Sequence, residues 1–527
     1  MKRSKVLFLA VAASVVFALL FSGCPGRNRL PENAVRIVIF DRGTDGGRTN
    51  PADNQWTRWI QERVREDLGL EVIFEPVSRW DEPAVQVTLM AAGNPPDLMM
   101  TWNFNNVATW GEQGGLFDMA PYVDTYLRDV RAFLGYDEAI PGREFIFRNQ
   151  NQRTGQLFSV PMIRANNARL NVFMRQDWLD ALNLPVPTTH EEFFNTLVAF
   201  RDHNPGGGAR VIPWAMSRDI RWQAGRIIES FIDPNTSMRD RWVYMAADRH
   251  LLIPGYVDGI RFMNRMYNAG LIDPDFFMYP DDTDMNRLIA SGIVGAFGHN
   301  WDQIFRAAEG LTTNLQQIVP EARWVAIDAF PSPVDGVTHK MSYDPAGLSI
   351  FIPRAARNPS GAMQYLNWLA QFENFNFLQI GPEGIVHEMV DGLPRINPTA
   401  GEGWIQNSPW NIDLTPLHNG IFMRTPEETM RVIALGYPFP EEDVMAAHHA
   451  SMVNARPDPV IITAQPLVAA GPRGPELQTQ AEVLLINAVR AAPANFDNVW
   501  NTGITNWLNA GARAIIEERT ANFVAPY

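Results

Sequence analysis

Cys24 is the only cysteine in 527 residues, and its position constrains what the rest can become. Lys2, Arg3 and Lys5 form a positive segment ahead of it. A charge-free, largely apolar run follows from Val6 to Phe21, and the small pair Ser22-Gly23 comes directly before the thiol. That is the layout of a secretory signal peptide. The run has 16 residues, short of the roughly 20 that a helix needs to span a bilayer comfortably. A lone cysteine in an exported chain has no partner for an intramolecular disulfide.

The segment around the thiol resembles bacterial lipoprotein signals, with Phe21 standing where Leu is usual. The resemblance implies cleavage before Cys24 and a diacylglycerol on its sulfur. The plainer alternative is a stray thiol inside a signal peptide. A diacylated, usually N-acylated cysteine carries two or three chains, enough for stable anchoring where one chain binds only marginally. Three stretches result: a signal peptide at 1–23, a lipidated Cys24 with a tether to residue 34, and a body at 35–527. The tether, PGRNRLPENA, is polar and punctuated by Pro and Gly. Ten extended residues reach about 35 Å at most, so the body is expected in the cell envelope, close to a membrane that it does not cross, facing the periplasm or the exterior.

The formal charge is −14, and removing residues 1–23 takes away three cations and no acid, which brings it to −17. That balance argues against nucleic acid as a partner and against a basic membrane-docking face. Apolar residues at 46% and charged residues at 19% describe an ordinary globular body. Its length exceeds what one core usually supports, so two or more domains are expected.

Strand and helix signals alternate. Val35 to Phe40 reads as a strand, Asn54 to Leu68 as a capped helix, Glu71 to Pro76 as a second strand and Asp81 to Ala92 as another helix. A turn at Asn94-Pro-Pro-Asp leads into a third strand ending at Trp102. After a break come a strand at Leu170 to Met174 and helices at Asp177 to Leu182 and Thr189 to Asp202, the latter with Thr189 and Glu192 at capping-box spacing. Val257 to Asn268 is an amphipathic helix stopped near Gly270. Leu348 to Pro353 reads as a strand, Ser360 to Gln371 as a helix, and Phe496 to Arg519 as two helices broken near Gly511. The pattern indicates βαβ units and a largely parallel sheet.

Five further segments occur in a characteristic order: Gly93 to Leu98 (GNPPDL), Trp110 to Pro121 (WGEQGGLFDMAP), Arg175 to Phe193 (RQDWLDALNLPVPTTHEEF), Tyr267 to Phe276 (YNAGLIDPDF), and Gly381 to Glu388 (GPEGIVHE) with Asp391-Gly392. Singly they are helix starts and stops that any α/β protein could carry. Together they resemble the family 1 extracellular solute-binding proteins of ABC transporters, especially the large lipoprotein branch with its alginate- and oligosaccharide-binding members. The resemblance implies an α/β fold of two lobes, periplasmic-binding-protein-like and of the class II type. Two or three hinge strands would join the lobes, with the ligand in the cleft between them. Lobe one would take mainly residues 35–150 plus a central return, and lobe two mainly 160–290 plus later helices. It implies a binding protein rather than an enzyme, with no cofactor, a small solute as ligand and a membrane permease as partner.

For a carbohydrate ligand, aromatic plates should meet the sugar's C–H faces and polar side chains its hydroxyl rim. Loops after strands are where α/β clefts bind. Trp102 and Asn103 follow the third strand, and Asn167 and Arg169 precede the strand at 170. Trp214, Trp222, Asn300, Trp301, Tyr343 and Asp344 stand in comparable loops. Sixteen tryptophans lean toward carbohydrate, although core packing accounts for most of them, with Trp178, Trp368, Trp500 and Trp507 on helical patterns. Uronate-type ligands would need cations in the cleft, and Arg169, Arg221 and Arg226 are candidates.

Alginate-binding relatives carry a calcium loop where this chain has Asp202 to Val211. A hard cation wants six to eight oxygens, several from carboxylates. Arg210 and Val211 occupy the places of the last two acids, so no metal is expected. Three rival readings remain: a lipid-anchored glycoside hydrolase using a doublet such as Glu191-Glu192 or Asp281-Asp282, a ligand-presenting protein or adhesin, and a peptide binder on the same fold.

Overall fold

The structure, a computed structural model, describes residues 30–41, 50–79, 81–137, 142–306, 310–396, 413–458, 467–469, 471 and 473–523. The signal peptide, Cys24 and the first part of the tether lie outside the described residues.

β1 (Ala34–Asp41) is covered on both faces, as its Val-Arg-Ile-Val-Ile-Phe run demands. Val35, Ile37 and Ile39 pack to one side and Val38 to the other. Asn54 caps the helix Gln55–Leu68 through the Trp56 and Thr57 N–H groups, and Gly69 ends it at φ 67°. β2 (Glu71–Ser78) returns parallel to β1. β3 (Met99–Thr101) joins β1's other side, where the Val38 N–H donates to the Leu98 carbonyl at 2.9 Å. After β4 (Ser159–Arg164) the chain crosses into a second sheet built from β5 (Leu170–Arg175), β6 (Ile212–Ala215), β7 (Val294–Asn300) and β8 (Trp324–Ile327). It returns through β9 (Lys340–Met341) into β10 (Ala346–Phe351). A hairpin of β11 (His387–Val390) and β12 (Leu393–Ile396) precedes β13 (His418–Asn419), and β14 (Ala455–Arg456) runs beside β9.

The first lobe's strands run in the order β2-β1-β3-β10-β4-β13, and the second lobe's in the order β6-β7-β5-β8. β1 to β3 are parallel, but β10 opposes both β3 and β4, and β5 opposes both β7 and β8. The expected largely parallel sheet is therefore mixed. The cause is topological: a strand entering from the other lobe starts at the edge where its neighbours end, so it must run back against them.

Each sheet lies between two apolar layers. In the second lobe Val172 and Met174 face a core shared with Trp178, Trp214 and the C-terminal helices, while Phe173 faces a core with Trp301, Ala434 and Ala447. This is the period-two alternation of a strand covered on both sides. Trp178, Trp368, Trp500 and Trp507 are all buried. The C-terminal helices Phe496–Trp507 and Arg513–Asn522 meet at Gly511, whose φ of 139° breaks them apart.

The chain passes between the lobes at 165–169, 342–345 and 420–425. The Tyr343 N–H donates to the Asn167 carbonyl at 2.8 Å, and the Ala165 N–H to the Asn419 carbonyl at 2.9 Å, so the passages lie side by side. The second-lobe ends of the first two are fastened to Arg226, which is 1% exposed. Its guanidinium donates to the Leu170 carbonyl, to the Met341 carbonyl at 3.4 Å and to Ser451 Oγ at 3.3 Å, and it pairs with Glu229 at 3.5 Å. Glu229 also holds Arg169 at 2.5 Å and accepts from the Met341 N–H at 3.2 Å. Lys340 pairs with Asp328 beside this cluster. Breaking one partner of a buried ion pair leaves the other charge uncompensated, at about 3–5 kcal/mol. Glu229→Gln should therefore lower the unfolding free energy in urea by about 3 kcal/mol or more. Glu388→Gln, which opens the exposed pair with Arg395, should change it by less than about 1 kcal/mol.

Candidate functional site

The open ends of β1, β2 and β3 share one edge with the start of β10 and the end of β4, and the passages between the lobes leave from there. At this edge a row of aromatic and cationic side chains reaches from one lobe to the other. Trp102, directly after β3, has the Arg79 guanidinium 5.3 Å and the Arg164 guanidinium 5.4 Å from its ring. Arg164, the last residue of β4, also lies 4.8 Å from the ring of Tyr343, in the second passage. Tyr343 meets Trp222 of the second lobe with ring centroids 6.4 Å apart, and Arg169 lies 5.5 Å from Trp222. Gly347 makes the row possible: a Cβ there would lie 2.6 Å from Met162 Cε, 3.1 Å from Trp102 Cζ3 and 3.3 Å from an Arg164 nitrogen.

Trp102 Nε1, Arg164 Nε and Asn167 Oδ1, all along the row, are buried without a hydrogen-bond partner. Burial lowers the Arg164 pKa, with Tyr343 and Asp344 opposing the shift, and it raises that of Tyr343, which Arg169 and Arg164 oppose. Ring faces, a guanidinium, an indole N–H and an amide oxygen thus converge between the lobes. Such a mixture of flat apolar area and a few fixed polar groups suits a polyhydroxylated ligand.

Of the residues singled out from sequence, Trp102, Asn167, Arg169, Trp222 and Tyr343 come together here. The others have different duties. Asn103 caps the helix Phe104–Glu112 by accepting from the Asn106 N–H at 3.3 Å. Asp344 holds Arg148 at 3.0 Å and accepts from the Ala346 N–H at 2.7 Å, while burial raises its pKa against the pull of Arg148. Trp214 is wholly buried in the second-lobe core, edge-on to Phe193. It stands in a strand whose four residues are all buried, so it does not reach the cleft. Trp301 is buried against Tyr437 and His448, because the helix Glu441–Met452 covers it. Asn300 ends β7 opposite Leu170.

Among the candidate cations, Arg226 and Arg169 are committed to Glu229. Arg164 was missed. Its signal was legible, since it closes a strand immediately before Asn166-Asn167, but the second ring against it comes from residue 343. The doublets proposed for hydrolysis serve local structure: Glu191 pairs with Arg265, Glu192 accepts from Thr188 at 2.8 Å, Asp281 caps a helix, and Asp282 holds His299 at 2.8 Å. In the loop after Asp202 the Asn204 side chain donates to the Gly208 carbonyl at 2.6 Å, and Arg210 pairs with Asp273 at 2.5 Å. Among the described residues no three His, Cys, Asp or Glu side chains gather as they would around a metal ion.

The signature of the family described as bacterial extracellular solute-binding protein matches residues 54–373. The fructooligosaccharide ABC transporter substrate-binding protein FusA of Streptococcus pneumoniae is 22% identical over 243 residues, 41% of each chain. Lipoprotein LipO of Bacillus subtilis is 24% identical over 302 residues, 53% of this chain and 54% of its own. The chain thus matches about half the length of these relatives, or less. Among solved structures the alginate-binding protein AlgQ2 without calcium ion superposes with a TM-score of 0.64 at 14% identity, covering 93% of this chain and 97% of that one. That likeness bears on the two-lobed fold. Among the described residues no helix is long and apolar enough to cross a membrane.

His448 touches the first passage through Asn166 Oδ1 at 3.1 Å, and burial, with His449 nearby, lowers its pKa to about 4. The unfolded chain takes up that proton near the ordinary value of about 6.5, before the folded one does. Stability from this group is complete above about 6.5 and is lost as pH falls toward about 4. Urea midpoints followed from neutral to acid pH should fall over that window, and less steeply in His448→Gln.

Proposed function

The chain belongs to the bacterial extracellular solute-binding protein family, and from that premise we propose that it captures an oligosaccharide in the cleft between its lobes and delivers it to an ABC-transporter permease. It does so without catalysing a reaction on the sugar. Export, cleavage before Cys24, acylation of that thiol and a short tether that keeps the body beside the membrane belong to the same reading. Two lobes, one formed mainly by the N-terminal third and one mainly by the middle and the C-terminal helices, enclose the ligand.

The observation that carries this reading is the row Trp102–Arg164–Tyr343–Trp222, which joins the lobes where the three passages run. Sugar rings offer apolar C–H faces to aromatic planes and hydroxyls to polar rims. Buried hydroxyls left unpaired cost more than the roughly 1 kcal/mol that each made hydrogen bond contributes, so the orphan Trp102 Nε1 and Asn167 Oδ1 belong in the same reading. FusA, a fructooligosaccharide ABC transporter substrate-binding protein, supports the ligand class.

Thermal unfolding of the full chain against mono-, di- and oligosaccharides and short peptides tests this. A ligand at 100 times its dissociation constant adds about 2.7 kcal/mol, so one saccharide class should raise the midpoint and be recovered intact. Trp222→Ala should abolish most of that shift, whereas Trp214→Phe should leave it in place while lowering the starting stability. Recovery of a cleaved sugar, or a shift with peptides alone, would overturn the proposal.

A further inference from the structure

Most of the arginines withdrawn from solvent here are paired with a carboxylate, while Arg519 donates instead to the Trp242 carbonyl at 2.7 Å. Arg148 holds Asp344 at 3.0 Å and Asp137 at 3.3 Å, Arg169 holds Glu229 and Arg175 holds Asp177 at 2.5 Å each, and Arg226 holds Glu229 at 3.5 Å. Arg164 departs from this pattern. Its guanidinium lies against the rings of Trp102 and Tyr343, at 5.4 and 4.8 Å. Among the described residues its side chain takes part in no ion pair, and its buried Nε has no acceptor. Asp344 lies near enough to act on it electrostatically, but the oxygens of Asp344 are committed to Arg148 and to the Ala346 N–H.

A chain with 58 acidic residues and a net charge of −14 does not lack carboxylates to neutralise one cation. Arg164 is half-buried, with its Nε out of solvent, and an unpaired charge partly withdrawn from water is costly unless something else compensates it. Ring stacking does so only in part, because it uses the face of the guanidinium and leaves the in-plane N–H groups, the fork that matches a carboxylate in two parallel hydrogen bonds. Gly347 keeps the space beside that fork clear of a side chain.

We propose that Arg164 is a carboxylate-binding position and that the oligosaccharide taken up in this cleft is therefore acidic, with uronic-acid residues rather than neutral hexoses alone. This rests on the oligosaccharide reading above and names its class. Trp102 and Tyr343 hold the guanidinium in place, and Trp222 takes a neighbouring ring face. Arg169 and Arg226, the more obvious cations by sequence, both have guanidinium nitrogens engaged by Glu229. Burial lowers the pKa of Arg164, as expected for a cation that the protein itself does not pair.

The test is calorimetric titration of the full chain with trimers of galacturonate, glucuronate and mannuronate, each beside its neutral hexose counterpart and a sulfated galactose trimer. At least one uronate trimer should bind tenfold or more tightly than its neutral counterpart, and added salt should weaken it. Arg164→Gln should cut uronate affinity by about ten- to hundredfold and neutral-trimer affinity by clearly less, so that the preference for uronate is lost. Arg164→Lys, which keeps the charge and loses the fork, should fall between. The unligated Arg164→Gln protein should melt at or above the parent temperature, which separates lost binding from lost folding. Equal or tighter binding of the neutral trimers, or unchanged uronate affinity in Arg164→Gln, overturns this proposal while the oligosaccharide reading stands. Preference for the sulfated trimer overturns the carboxylate assignment. Binding of none of these saccharides overturns both.

Discussion

Everything distinctive in this molecule hangs on how two separately cored lobes are joined, and the join depends on the Arg226–Glu229 pair. Each lobe closes its own apolar layers around its own sheet, so hydrophobic burial alone would leave the two bodies free to wander. Arg226 gathers the carbonyls of Leu170 and Met341 with the hydroxyl of Ser451, one group from the start of each sheet passage and one from the helix that follows the third. Burying a pair of charges is seldom the cheapest route to stability. Here it gives three remote stretches of chain a common point of attachment, which an apolar side chain could not do because it cannot accept or donate in several directions at once.

The aromatic and cationic row inherits that arrangement. Trp222 sits four residues before Arg226 on short helices most of whose residues are buried, and Tyr343 sits two residues beyond Met341. Fixing Met341 and the 225–229 helix therefore fixes the two rings whose separation decides what fits between them. On the first lobe, Trp102 and Arg164 are set by strand ends whose register with β10 is specified by hydrogen bonds. The site is thus rigid on each side and adjustable only between the sides.

Much of this was legible in the residues. The alternation of β-rich and amphipathic stretches placed the first three strands and the long helices within a residue or two, because caps such as Asn54 and Gly69 act locally. The mixed direction of the sheets was not legible, since it depends on where a returning strand re-enters. Trp102, Trp222 and Tyr343 could be picked out because loops after strands collect at one edge. Trp214 and Trp301 stood in equally suggestive loops and were misplaced, because whether a ring faces cleft or core is decided by elements far away, such as the helix Glu441–Met452 over Trp301. Asp344 shows the same limit from the polar side: nothing near it announces that Arg148, nearly two hundred residues earlier, will claim it.

The first two passages between the lobes are anchored at their second-lobe ends, and the passages are hydrogen-bonded to one another, at Asn167 with Tyr343 and Ala165 with Asn419. Any rotation of one lobe against the other must then be absorbed within a few residues of Arg164 and Tyr343. Mechanically, those side chains stand at the fulcrum. They travel least when the lobes swing, while the outer rims travel furthest. A ligand gripped there would work on the short arm of a lever, where a displacement of a fraction of an ångström would be read out as a large movement on the outer surface.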